Sequence, residues 1–468
     1  MRIVVFGAGK FYQKRKEELL SDIDVELVAI IDNNQYIQGT YMDHVPILGI
    51  EQLEALDYDI VILMSAKASE MKIQLSKLGV DPKRIWYWER FKSEKEKGRF
   101  YFHCGDLTHR SWKKKVLFIS NDLGYSGGAL AAVYAALALQ ERHYKVVLAA
   151  PGGNSVFIKE IKERGLNIMI CPALPYLYEE ELAFIEQFDA VIVNVFPMIL
   201  CASEISKRKP VVWWIHEASD FYQTTRVQFA EYAREEQLEN IDIYAVSRIA
   251  QANFNHYFPK RISQTLAYGI PDECLNIPQT NKGDKILFAI IGGVTPRKAQ
   301  DIFLEAVKGI KEELRKKALF WIIGSLAQDS YCNKIRDMAS DDSSIIFWGE
   351  MPRVEIEKAF FSIDVLVCPS WEDPLPIVAT EAMMYGRPCI VSESIGTVDY
   401  IMEGRNGLIF PTGDSKALSA KMEWVIQNSE QLSQMGKNAR QTYEKYFTMD
   451  GFGERLEAAL QNSLKNRP

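Results

Sequence analysis

Short runs of aliphatic and β-branched residues alternate with helical-period segments along almost the whole chain. No other feature narrows the fold so much. Runs such as "RIVVF", "VLFIS", "AVIVNV", "ILFAII" and "DVLVC" are continuously apolar, as strands buried on both faces must be. Parallel strands need a crossover of a dozen or more residues between them, usually a helix. The pattern therefore predicts an α/β chain of parallel sheets with crossover helices.

The chain has 468 residues, too many for one hydrophobic core. Three blocks are expected: a small Rossmann-like domain over 1–95, then a linker over 96–115, and two larger Rossmann-like domains over 116–275 and 285–442. The join between the large domains, near Pro271–Asp284, has the Pro, Gly and polar content of a linker. A final stretch, 443–468, is expected to be a helix, with Phe452, Leu456, Ala459 and Leu460 on one face.

Net charge is −7, which argues against bulk nucleic-acid binding. The seven cysteines are scattered without a Cys-x-x-Cys pair, so neither a disulfide scaffold nor a zinc site is expected. "MRIVVFGAGK" leads straight into a strand, with no signal peptide. The longest apolar candidate, "AFIEQFDAVIVNVFPMILCA", is interrupted by Glu186, Gln187 and Asp189. The chain reads as cytoplasmic. In the stretch Phe91–Lys115, lysines and arginines mix with Phe100, Tyr101, Phe102 and Trp112. A linker packing its aromatics on a neighbour is the plainer reading. The sharper one is a peripheral contact at the inner face of the membrane.

Several residues could carry chemistry. Gly7-x-Gly9 follows a strand and Asp32 ends the next one, part of a dinucleotide fingerprint, but Tyr12 stands where its third glycine belongs. That turn either binds a nucleotide or serves packing and assembly, including oligomer formation. Gly127 and Gly128 open a long helix, a natural seat for phosphate. His216 ends an apolar strand, where α/β sites lie, whereas His143 reads only as a turn. In "PSWEDPLPIVATEAMMYGRPCIV", Glu372 and Asp373 lie on the loop after a strand. Pro374 and Pro376 stop that strand, and Glu381 lies about a turn and a half into the next helix. Carboxylates there can accept from hydroxyls while a helix N-terminus faces phosphate.

The same stretch resembles the E-x7-E region of the retaining "group 1" glycosyltransferases of GT-B fold, the family of glycogen-synthase-like and sucrose-synthase-like enzymes. Asp373, seven residues, then Glu381-Ala382-Met383 fits the pattern. The first acid is Asp rather than Glu, and Glu372 stands just before it; spacing favours Asp373, so a change at Glu372 is expected to be mild. "GGVTPRKAQDIFLEAV" resembles the family's phosphate-binding region, with Gly292, Gly293 in place of the usual arginine, Arg297 as the second charge, and Lys298 at the lysine position. "SIIFWGEMPR", with Gly349 and Met351, is similar to the strand and loop lining the nucleobase. "SNDLGYSGGA" and "WWIHE" resemble the N-terminal glycine loop and the active-site histidine, and "MEGRNGLIF" a turn after the donor site. The block over 1–90 resembles small Rossmann-like domains that accompany bacterial polysaccharide enzymes.

The resemblance implies a GT-B fold of two facing Rossmann-like domains, preceded here by a small additional one, with the last helix returning to the first GT-B domain. It implies transfer of a sugar from a nucleotide sugar, a UDP-sugar, to a glycan or lipid-linked acceptor with retention, in bacterial surface-polysaccharide assembly. No metal or cofactor is expected. The implied catalytic residues are His216, Asp373 and Lys298. The implied donor site adds Gly127, Gly128, Gly292, Gly293, Arg297, Gly349, Met351, Leu375, Pro376, Ile377 and Glu381, with Glu381 on the ribose. Two other readings stand beside this one: a non-catalytic GT-B partner or scaffold subunit, and an NAD-dependent oxidoreductase built on Gly7-x-Gly9.

Overall fold

Among the described residues three sheets form, and each contains the same core strand order. The computed structural model describes residues 1–22, 24–105, 111–177, 179–228, 235–261, 263–274 and 285–465. The first sheet runs Tyr41–Met42, Val45–Leu48, Glu26–Ile31, Arg2–Phe6, Ile60–Leu63, Ile85–Tyr87; all neighbours are parallel except the first pair. The second runs Gln264–Thr265, Ile241–Ala245, Val211–Ile215, Ala190–Asn194, Lys115–Ile119, Lys145–Ala150, Asn167–Ile170, Tyr101–His103. The third runs Ile345–Gly349, Ala318–Ile323, Ile286–Ile291, Val365–Cys368, Cys389–Ser392, Gly407–Phe410. Counting the parallel strands of each block in chain order, every sheet contains the doubly wound sequence 3-2-1-4-5. The strand order switches between strands 1 and 4, with successive strands added outward on opposite sides, which leaves a crevice at their carboxyl ends where ligands of such sheets bind.

One expectation needs correction. The stretch over 96–115 is more than a linker: Tyr101–His103 pairs antiparallel with Asn167–Ile170 at the edge of the second sheet. Phe100 anchors it by meeting Phe184 edge-on at 5.3 Å. The helix Trp88–Lys95 precedes it. A three-residue strand is too short to show period 2, and long-range pairing decided its conformation. Part of the join between the large domains, 275–284, lies outside the described residues, as do 106–110 of the expected linker and 466–468 of the final stretch.

In the first sheet Gly7 has φ +112, and a side chain there would strike the Met64 carbonyl. Asp32 ties the turn down, accepting from the Ala8 N–H at 2.7 Å and the Asn34 N–H at 2.8 Å. The small domain packs on the second sheet's domain through helix Ala68–Lys77 against helix Ser219–Gln228.

The C-terminal region is two helices, Leu432–Tyr446 and Met449–Lys465. They break at Phe447–Thr448, where Ile270 donates its N–H to the Phe447 carbonyl. The second helix lies on the second sheet's domain. Phe452 stacks on Trp214 at 5.5 Å, and Glu457 accepts from Lys113 at 2.9 Å and from the Tyr144 hydroxyl at 3.0 Å. Phe452, Leu456, Ala459 and Leu460 are all buried. The last helix thus fastens the two large domains together. Among the described residues no helix is long and apolar enough to cross a membrane.

Candidate active site

The crevices of the second and third sheets open onto one cavity of about 850 Å³. Strand 1 of the second sheet feeds the turn at Asn121–Gly128, and strand 4 feeds Val195 and Pro197. In the third sheet, strand 1 feeds Arg297 and Lys298 and strand 4 feeds Asp373–Ile377. All of these line the cavity, with His216 and Glu217 from strand 5 of the second sheet.

On the third-sheet wall, charge is concentrated. The turn Pro296–Lys298 ends at Ala299, which has φ +55. Its preceding loop is held by the buried Gln300, which donates to the Gly293 carbonyl at 3.1 Å and accepts from the Thr295 N–H at 3.3 Å. Lys298 Nζ lies 2.5 Å from Asp373 Oδ2 and Arg297 Nη1 lies 3.2 Å from the same oxygen. Arg297 also donates to the Glu372 carbonyl at 3.0 Å. Asp373 is buried. Two cations on one carboxylate leave net positive potential at the strand ends, suited to an anion such as a diphosphate.

The facing wall is uncharged or acidic. His216 Nε2 has neither solvent access nor a hydrogen-bond partner among the described residues. Burial lowers the imidazole pKa to about 3, so the ring is neutral. Glu217 is buried and its pKa is pushed up to about 7 by burial. Asp122 is likewise raised by burial.

Gly127 and Gly128 open the helix Gly127–Glu141, capped by Ser126. A side chain on Gly127 would meet Ile377 Cδ1 at 3.8 Å, so the glycine turn and the Leu375–Ile377 loop face each other across the cleft. Tyr268 fixes that loop, its hydroxyl 3.1 Å from the Leu375 carbonyl.

Five expected residues stand off the wall of this cavity. Glu381 is buried and pairs with Arg353. Burial works against the Arg353 charge, but Glu381 outweighs it and raises its pKa. Gly292 and Gly293 lie behind Lys298: a Cβ on Gly292 would sit 3.8 Å from Lys298 Cε. The Gly292 N–H donates to the Ile323 carbonyl. Gly349 ends the edge strand with φ +71, its carbonyl accepting from Gly324, and Met351 is partly buried against the main core.

The acid at 372 has a task that spacing could not show. Glu372 accepts from the Ser219 N–H at 2.9 Å, from the Ser219 hydroxyl and from Asn253 Nδ2. Both partners belong to the second sheet's domain, so Glu372 bridges the cleft. The expected mild effect at this position is revised. Glu372→Ala should loosen the closed arrangement, because a hydrogen bond to a charged group contributes roughly 1.5–3 kcal/mol. Solution scattering should give a larger radius of gyration than the parent at equal folded fraction. Superimposable curves would show that the bridge does not hold the domains.

Sequence reasoning also missed Arg353, Gln300, Gly396 and Ser219. Their only local signals are a basic helix start, a polar residue at a helix start, a glycine after a strand and a serine at a helix start. Among the described residues, no group of three or more His, Cys, Asp or Glu could hold a metal ion.

Comparison with known proteins agrees with this architecture. The family model "Glycosyl transferases group 1" matches residues 275–442, and "C2185-like, N-terminal" matches residues 1–86. The Bacillus subtilis protein YtcC is 25% identical over 301 residues, 58% of this chain and 73% of that protein. The Staphylococcus aureus capsular polysaccharide biosynthesis glycosyltransferase CapM is 25% identical over 189 residues, 39% of this chain. The chain spans 47% of CapM's length. Among solved structures, Anabaena HepE in complex with UDP and glucose superimposes with a TM-score of 0.63 at 14% identity, over 75% of this chain and 100% of that one. The lipopolysaccharide glycosyltransferase WaaG superimposes at 0.55 with 18% identity, over 74% and 98%. Residues 275–442 are therefore a glycosyltransferase group 1 domain, carried in a chain of GT-B fold.

Proposed function

We propose that the protein transfers a sugar from a UDP-sugar to a hydroxyl of a glycan or lipid-linked acceptor, with retention of configuration, in bacterial surface-polysaccharide assembly. One observation carries this reading: Arg297 and Lys298 face His216 across a cavity framed by the switch points of two Rossmann-like sheets. HepE's complex with UDP and glucose and CapM's part in capsular polysaccharide biosynthesis support the choice of donor and product class.

The bond that breaks joins the sugar anomeric carbon to the distal phosphate oxygen. The acceptor hydroxyl oxygen bonds to that carbon on the same face, and its proton passes to the departing diphosphate. Negative charge grows on that diphosphate as the bond breaks. Lys298 and Arg297 stabilise that charge inside a cleft where water screens it poorly. Asp373 keeps both cations at the strand end and offers its remaining lone pairs to sugar hydroxyls. His216, neutral at working pH, exchanges a hydrogen bond with the sugar from the opposite domain without adding charge. Glu381 accepts from ribose hydroxyls beside the cavity.

Glu381→Ala should weaken UDP binding about ten-fold or more, the loss of a hydrogen bond to a charged group. It should also cost stability, by roughly 1–3 kcal/mol: the loss of a buried partner is discounted here because Arg353 is part-exposed. Arg353→Ala separates the two effects. UDP affinity lost in Glu381→Ala and kept in Arg353→Ala supports the ribose contact; equal losses in both would refute it.

The reading as a whole is tested by titrating UDP, ADP and GDP, then screening UDP-sugars for release of UDP and for glycosylated product by mass spectrometry. Binding of none of the three nucleotides would sink it.

A further inference from the structure

We infer that Glu217 is a positioning residue for the proposed transfer, clamping the backbone of Val195–Phe196 and His216 so that both present the right surface to the cavity. The inference rests on the donor-site reading above and adds a residue to it.

Backbone strain is concentrated at Val195. It has φ +69 and ψ 157, a region that is nearly glycine's alone and is strained for a β-branched side chain. Such strain persists only where the surroundings over-determine it. Here four hydrogen bonds do so. The Val195 N–H donates to the Trp214 carbonyl at 2.8 Å. Trp213 Nε1–H donates to the Val195 carbonyl at 2.9 Å. Glu217 supplies the other two acceptors: Oε1 takes the Phe196 N–H at 2.6 Å and Oε2 takes the His216 N–H at 2.9 Å.

A carboxylate suits this place. Strands 4 and 5 of the second sheet end here side by side, and their ladder stops after Asn194 and Trp214. Two diverging backbone N–H groups are left without ladder partners inside a buried region, and a carboxylate offers two acceptor oxygens where an amide offers one. Burying an acid is costly, as the raised pKa of Glu217 records. Among the described residues none of its hydrogen bonds reaches the Arg297–Lys298 side of the cleft.

The strained turn also sets the opposite glycine loop. Val195 Cγ1 lies 3.3 Å from where a Cβ on Gly128 would be, and Asn194 Nδ2 donates to the Gly128 carbonyl at 3.0 Å. Val195, Gly128, His216 and Glu217 all line the cavity. One carboxylate thus fixes His216 directly and the glycine loop through Val195.

The plainer alternative is that Glu217 merely caps two strand ends. A double-mutant cycle with kinetics separates the two. Variants Glu217→Ala, Glu217→Gln, Val195→Gly and Val195→Gly/Glu217→Ala are compared at matched folded fraction, with the best UDP-sugar as donor. Glu217→Ala should lower kcat at least ten-fold, with donor KM and UDP affinity within two-fold of the parent. Glu217→Gln should recover part of the rate, since one oxygen still accepts. Glycine at 195 adopts φ +69 freely, so the Glu217→Ala penalty on kcat should shrink several-fold in the Val195→Gly background. Parent-like kcat in Glu217→Ala, a donor KM defect with kcat intact, or an equal penalty in both backgrounds each overturns the inference. Should Glu217→Ala fail to fold, the Gln substitution made in both backgrounds gives the same comparison. A parent protein that binds UDP yet turns over no nucleotide sugar would instead refute the enzyme reading itself.

Discussion

Lys298→Ala should lower the rate of sugar transfer by about 10²–10³-fold, the loss seen when one preorganised stabiliser of developing charge is removed. Lys298 sits on a short 3-10 turn, and its ammonium is engaged by Asp373 alone among the described residues. It packs no core, so the fold should survive. Arg297 stays 3.2 Å from Asp373 and keeps that buried carboxylate paired. UDP affinity should fall less than the rate, because charge on the diphosphate is greatest as the bond breaks. Steady-state kinetics, calorimetric UDP binding and a thermal melt on the same sample test this. A rate within three-fold of the parent would remove Lys298 from the chemistry. Lys298→Arg should recover only part, since the guanidinium places its charge differently.

The second large effect is expected at Gly396. A Cβ there would lie 1.7 Å from the Pro374 carbonyl oxygen and 2.8 Å from Ser247 Cβ. The Gly396 N–H donates to the Asp373 carbonyl at 2.9 Å. Pro374 belongs to the loop carrying Asp373, while Ser247 caps helix Arg248–Tyr257 in the other domain. Gly396→Ala must push the acidic loop, the seam between the domains, or both. Overpacking against backbone costs about 1–3 kcal/mol or more, and a displacement of about 1 Å at reacting groups costs on the order of 10² in rate. A lower melting temperature together with a rate loss near 10² is the expected result. Gly9→Ala, where nothing lies within 4 Å of the added carbon, is the control. A Gly396→Ala protein with the melting temperature and rate of the parent would show that the seam yields at no cost.

The acidic stretch around residue 372 shows how far a local reading reaches. A strand, two prolines and a helix place three acids near a sheet's carboxyl edge by local rules alone. Their partners are Ser219 and Asn253 for Glu372, Lys298 and Arg297 for Asp373, and Arg353 for Glu381. The partners lie between 28 and 153 residues away in sequence. No spacing rule spans such separations. Spacing favoured Asp373 over Glu372, but only assembly of the cleft gave Glu372 the bridge between domains.

The amino-acid sequence by itself determined the α/β class, the strand runs and the turns that follow them. Apolar continuity, helical period and the chemistry of Gly and Pro act over a few residues, and their signals are written consecutively. The glycine turn at Gly127–Gly128, the cationic turn at Arg297–Lys298 and the proline-stopped strand before Ile377 all belong to this class. Tertiary structure alone decided the rest. It made Tyr101–His103 an edge strand, held Val195 at positive φ, gave Glu217 its two N–H donors and set Gly396 against the Pro374 carbonyl. Each of these depends on a neighbour that arrives only when sheets and domains pack, because a buried donor, acceptor or contact atom takes whatever partner the fold brings to it.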